Sequence, residues 1–127
     1  MKKILIVIAD YYEDISSSLL KSAKNNLNNF SLKIIRVPGV FEIPVTISKN
    51  IKKYDAFIAL GCVIKGETPH FDFISKATTD GIMKLSIDYK KPIGNGIITC
   101  LNKDQAVTRS KTKGQEAAKA LISVLSQ

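Results

Sequence analysis

Within residues 3–8, KILIVI, the five residues after Lys3 form an unbroken run of long and β-branched apolar side chains. Alternating apolar and polar residues would leave one face of a strand to water. A continuous run instead demands cover on both faces, the situation of a strand inside a parallel sheet. Two lysines precede the run, but it stops at Asp10 with no small-residue cleavage site, so a buried strand is expected rather than a secretion signal. No other apolar stretch approaches the roughly 18 residues of a membrane span, which points to a cytoplasmic protein that makes no membrane contact.

The rest of the chain repeats the theme. Ile15, Leu19, Ala23, Leu27 and Phe30 recur at three- and four-residue intervals and predict a helix that Asp14 would cap. A second strand is expected at 32–37, then a helix within 41–53 that tolerates Pro44 in its first turn. A third strand is expected at 55–61 and a helix at 69–89, with Phe71, Ile74, Thr78, Ile82 and Leu85 on one face. A fourth strand, 93–100, precedes two short helices at 102–110 and 114–126. Strands alternating with helices imply βαβ units, hence a four-stranded parallel sheet flanked by helices on both faces, with 127 residues making one domain. A site in such a fold lies at the carboxyl ends of the strands, here Ala9–Tyr12, Val37–Glu42, Cys62–His70 and Thr99–Asn102.

Composition removes several function classes. The formal net charge of +8 attracts anions, yet the lysines are scattered and no basic stripe interleaved with aromatics occurs, so nucleic acid is not an expected partner. Cys62 and Cys100 fit neither a disulfide framework nor a CxxC metal pattern and read as reduced, buried thiols. No Walker motif, GxGxxG, HExxH or nucleophile elbow is present, so neither a metal nor a cofactor is indicated. A receiver domain would need an aspartate at the end of the third strand, where this chain has Gly61 and Cys62.

Four loop stretches carry the chemistry. In KGETPHF, Thr68 suits a helix N-cap and Pro69 a first helical residue, leaving the amides of Gly66–Thr68 free to meet an anion such as phosphate. His70, the only histidine, falls in that first turn, where the dipole opposes a positive ring and favours an imidazole able to exchange protons. In VPGVFEIP, Phe41 and Glu42 can hold a polar ring or polyol by packing and hydrogen bonding. In ADYYED a tyrosine could stack on a planar heterocycle. Arg109 and Lys113 offer a guanidinium fork and a point charge for phosphate. For each stretch a purely structural role (a helix cap, loop packing, solvated helix charges) stays open on these grounds alone.

VPGVFEIP, GCVIKGETPHFDFI, PIGNGIIT and DQAVTRS, in this order and spacing over nearly the whole chain, resemble the lumazine synthase family. The resemblance implies a flavodoxin-like three-layer sandwich and a step of riboflavin biosynthesis. In it, 5-amino-6-(D-ribitylamino)uracil condenses with 3,4-dihydroxy-2-butanone 4-phosphate to 6,7-dimethyl-8-ribityllumazine, phosphate and water, without cofactor or metal. Carried over, it makes His70 the proton donor and acceptor and gives the phosphate to Glu67, Thr68 and Arg109. Tyr11 would stack on the pyrimidine, while Val40, Phe41, Glu42, Cys62, Val63 and Ile64 would line the pyrimidine and ribityl chain. Asn95 and Arg109 would come from a neighbouring subunit of a homopentamer, which in some members builds a 60-subunit shell. Lys113 is a further phosphate candidate, although the link from Arg109 is shorter than in many members. Asp10, Lys65 and Asn95 depart from the arginine, arginine and phenylalanine frequent at those positions, and the N-terminus lacks residues that some members lend to a neighbour's sheet. A riboflavin synthase of related fold and a flavin-binding or shell protein without turnover are the alternatives; production of riboflavin from lumazine alone, or no turnover at all, would mark them.

Overall fold

The computed structural model describes residues 1–127. Strands β1 (Lys3–Ala9), β2 (Ser31–Val37), β3 (Ala56–Ile64) and β4 (Ile93–Cys100) alternate with helices α1 (Glu13–Lys24), α2 (Ile43–Asn50), α3 (His70–Tyr89) and α4 (Lys103–Leu125). Every strand pair is parallel and the order is β2-β1-β3-β4. The chain therefore steps from β1 outward to β2, then returns to the other side of β1. Such a reversal opens a crevice at the carboxyl ends of the central strands.

The side-chain alternation of β1 explains its unbroken apolar run. Ile4, Ile6 and Ile8 join a core layer with Ile15, Leu19 and Ala23 of α1 and Ala117, Ala118 and Leu121 of α4. Leu5, Val7 and Ala9 point the other way, into a layer with Ile43 and Ile47 of α2 and Ile82 of α3. Both layers are dry, and all six of these β1 residues are at most 2% exposed. The two helical layers are unequal, however. Along the 20 residues of α3 only Thr78 and Ile82 are buried, while Phe73, Met83, Ile87 and Tyr89 stand exposed.

Several expectations are corrected. The pair of short closing helices is one helix, α4, running through Gly114. A Cβ at Gly114 would strike the Leu19 carbonyl and Ser22 hydroxyl of α1 and lie 2.8 Å from the Ala23 nitrogen, so this glycine marks a close helix crossing and not a break. Strand β3 continues past Gly61 to Ile64, which puts Cys62, Val63 and Ile64 in the ladder with β4 instead of in a loop. Helix α1 ends at Lys24, so Leu27 and Phe30 reach the core from the following turn, and Asp14 lies inside the first turn without capping it, the flanking residue being Tyr12. The helix expected within 41–53 is a short 3-10 turn, Val40–Glu42, followed by α2. Helix α3 begins one residue late, at His70. No helix is long and apolar enough to cross a membrane.

Candidate active site

Three strand ends build one cleft of about 630 Å³ at the β1/β3 crevice. Past β1 come Tyr11 and Tyr12, past β2 the segment Pro38–Glu42, and along β3 and beyond it Cys62, Val63, Ile64, Gly66, Thr68 and His70; Phe71 and Ile74 of α3 complete the lining. Hydrogen bonds between these ends fix the frame. The Asp10 N–H donates to the Val37 carbonyl at 3.0 Å, Ser16 Oγ donates to the Ala9 carbonyl at 2.6 Å, and the Lys65 N–H donates to the Cys100 carbonyl at 2.9 Å.

One wall is aromatic. Tyr11 is 74% exposed and meets Tyr12 edge-on, with ring centroids 4.9 Å apart, so its face is free for a planar ligand. Phe41, on the 3-10 turn opposite, is also exposed, while Val40 beside it is buried against the sheet. Asp10, just before Tyr11, pairs with Arg36 at 3.0 Å across the ends of β1 and β2.

The other wall is the approach to α3. The N–H groups of Gly66, Glu67 and Thr68 donate to no group within the chain, and Thr68 Oγ1 accepts the His70 N–H at a long 3.4 Å. Free amides at the start of a 20-residue helix form a site for an anionic oxygen. His70 is exposed and lines the cleft together with Gly66 and Thr68.

The floor is apolar and its thiol is inert. Burial pushes the Cys62 thiol up to about 12, with the adjacent, hydrogen-bonded Cys100 adding to the rise and Arg109 opposing it. Cys62 is thus a neutral packing surface, and both cysteines are free and buried. Burial, with Cys62 and Tyr11 nearby, likewise raises the Tyr12 phenol.

Of the residues singled out in the sequence, Tyr11, Val40, Phe41, Glu42, Cys62, Val63, Ile64, Thr68 and His70 meet in this cleft. Glu67, Asn95, Arg109 and Lys113 do not line it. Asn95 is exposed on the edge strand β4, its Oδ1 accepting the Ile97 N–H at 3.1 Å. Arg109 lies along α4, its guanidinium donating to the Thr99 carbonyl at 3.0 Å. Gly66, expected there for its amide, lines the cleft too, while Tyr12, Pro38, Gly39, Phe71 and Ile74 line it without having been assigned to it. Ile74 had a legible signal, since it lies one turn after His70 on the same helix face. No group of three or more potential metal-ligating side chains occurs.

The family model described as 6,7-dimethyl-8-ribityllumazine synthase matches residues 1–127. Proteins of that name from Zymomonas mobilis, Corynebacterium kroppenstedtii and Afipia carboxidovorans are 41%, 38% and 39% identical to the chain, over 98%, 94% and 97% of its length. The matches span 94%, 80% and 83% of those relatives.

Proposed function

Because the chain belongs to the 6,7-dimethyl-8-ribityllumazine synthase family, we propose that the cleft at the β1/β3 crevice is its active site, with His70 moving the protons. The chain functions in riboflavin biosynthesis. It condenses 5-amino-6-(D-ribitylamino)uracil with 3,4-dihydroxy-2-butanone 4-phosphate to 6,7-dimethyl-8-ribityllumazine, and phosphate and water leave. The observation that carries the assignment is that His70 shares one cleft with an aromatic wall and a loop of unpaired amides.

In this reading the pyrimidine stacks on Tyr11 and rests on the neutral floor of Cys62, Val63 and Ile64. Val40, Phe41 and Glu42 hold the ring edge and ribityl chain, with Glu42 accepting hydroxyl hydrogen bonds. The amides of Gly66, Glu67 and Thr68 receive the phosphate. These placements hold the amine against the ketone, and fixed proximity supplies much of the rate. The amine adds to the ketone and water leaves to give an imine. Loss of a proton then expels phosphate, and ring closure releases a second water. His70, at the rim between the two reactants, takes and returns the protons.

The whole chain, residues 1–127, acts in the cytoplasm as one catalytic domain and needs no metal or cofactor. It works as a homopentamer, in which Asn95 and Arg109 of one subunit complete the neighbour's cleft, Arg109 pairing with the phosphate and Lys113 adding charge. The exposed Asn95 and Arg109, both outside their own cleft, and the exposed apolar row on α3 support this. His70→Ala should lower kcat with little change in KM, whereas Arg109→Ala should mainly raise KM for the phosphate substrate. Lumazine fluorescence, corrected for the uncatalysed reaction, reads both. Mixing the two variants after dissociation should restore part of the activity, because some hybrid sites then hold both groups. No restoration would count against a shared site, and light scattering measures the assembly.

A further inference from the structure

We propose that Gly61 is a positioning residue: its missing side chain sets how closely the Val40–Glu42 turn and the end of β1 approach each other, and so the width of the cleft. This rests on the reading above that the turn holds the pyrimidine and ribityl chain. Gly61 sits in β3, paired with Ile97 of β4, on the face that receives α2. A Cβ there would lie 2.6 Å from Val40 Cγ1, 3.2 Å from Ala9 Cβ and 3.7 Å from Ile43 Cδ1. Those neighbours head the two sides of the aromatic wall, since Ala9 leads into Tyr11 and Val40 leads into Phe41 and Glu42.

Carbon atoms in contact settle about 3.5–4.0 Å apart, so a methyl at position 61 must drive Val40 back by about 1 Å. The interior is packed too densely to absorb such a shift without moving its surroundings. Val40 is buried at 6% exposure and belongs to a 3-10 turn of only three residues, so the turn moves as a unit and carries Phe41 and Glu42 with it. The three atoms nearest that Cβ belong to the end of β1, the turn and the start of α2, and none to the Gly66–Thr68 loop. Gly61 therefore bears on the pyrimidine and not on the phosphate, and it acts through Val40 without touching substrate.

The test is steady-state kinetics with each substrate varied in turn. Displacement of a binding group by about 1 Å can cost ~100-fold, so Gly61→Ala should raise KM for the pyrimidine substrate by about tenfold or more. KM for the phosphate substrate should stay within about twofold. Leu27→Ala, which opens a cavity in the other core layer beyond the end of α1, should lower the melting temperature without changing either KM.

Val40→Ala removes the atom that Gly61→Ala strikes. Alone it should weaken pyrimidine binding, but in the Gly61→Ala background it should improve binding and restore folding if Gly61→Ala alone is unstable. Three results overturn the inference: equal changes in both KM values, an unchanged pyrimidine KM in folded Gly61→Ala, or a double variant worse than Gly61→Ala. Phe41→Ala separates this inference from the assignment beneath it. If Phe41→Ala weakens the pyrimidine and Gly61→Ala does not, only the role of Gly61 falls; if neither does, the turn is not the pyrimidine site.

Discussion

Gly114→Ala sets two effects of opposite sign against each other. Alanine is favoured over glycine in a helix interior by about 1 kcal/mol, so on an isolated helix the change stabilises. In the folded chain the new methyl collides with the Leu19 carbonyl and the Ser22 hydroxyl and lies 2.8 Å from the Ala23 nitrogen. Carbon meets backbone oxygen at roughly 3.3–3.6 Å, so α1 and α4 must separate by more than about 1 Å. A gap of that size forfeits about half or more of each contact's ~0.1–0.2 kcal/mol, or ~0.08 kcal/mol per atom pair. Leu19, Ala23, Ala106, Ala117, Ala118 and Leu121 are buried in this layer, and about 30 atom pairs across the crossing, roughly half of what one buried leucine makes in all directions, bring the loss to about 2.5 kcal/mol. The net is about 1.5 kcal/mol of destabilisation, inside the usual range for overpacking. For a chain of this length that lowers the melting temperature by roughly 5 °C. Calorimetry at fixed protein concentration is the assay. Thr112→Ala, exposed on the same helix, is the control and should hold or raise the midpoint. If Gly114→Ala also raises it, the helices do not touch there and the reasoning fails.

The remaining predictions concern polar groups. The Cys62 thiol is raised from its ordinary 9.0 to about 12, so the folded chain holds this proton more tightly than the unfolded one. Its contribution to stability is full below pH 9 and lost as pH rises from about 9 to 12, and Cys62→Ala should flatten the fall in melting temperature over that window. Asp10→Asn removes an ion pair whose side chains are 30% and 55% exposed, so the cost should stay below ~1 kcal/mol; a larger drop in the midpoint would mean that the pair braces Tyr11. Thr78 is 1% exposed and its hydroxyl has no partner, so Thr78→Val should stabilise by up to ~1 kcal/mol in denaturant unfolding; a loss would reveal a partner for that hydroxyl.

The residues that revealed the fold in the sequence are those whose pattern has one physical cause. KILIVI can be satisfied only by cover on both faces, and the two core layers supply it. Glycine was the ambiguous sign. At Gly61 and Gly114 it reads as the boundary of an element, the end of a strand and the start of a helix, yet in both places it lies inside one and approaches a neighbour's atoms closely. Composition cannot separate these cases, because the cause is a long-range contact. Asp14 shows the same limit locally, since a good capping residue inside the first turn of the helix caps nothing and pairs instead with Lys103 at 3.5 Å. The cleft was more legible, because Tyr11, Phe41 and His70 follow three different strands and the sheet order brings those ends together. Arg109 was legible as a cation able to meet phosphate and Asn95 only through family resemblance, and no feature of their own segments indicates which cleft they serve.

The inequality of the two helical layers has a consequence for motion. Parts of a fold open with free energies that track the apolar surface they bury. The β1 and β3 amides, covered on both faces, should exchange their hydrogens only in global unfolding. Helix α3 is anchored by Thr78 and Ile82, with its partly buried neighbours Phe71, Ile74 and Leu85, and should open well before them. His70 begins that helix, so the residue proposed to handle protons stands on the less protected of the two helical layers. In a lone subunit its geometry would be held only intermittently, whereas a neighbour pressed on Phe73, Met83 and Ile87 would slow that opening. Subunit contact would then steady the proton-handling group as well as complete its pocket.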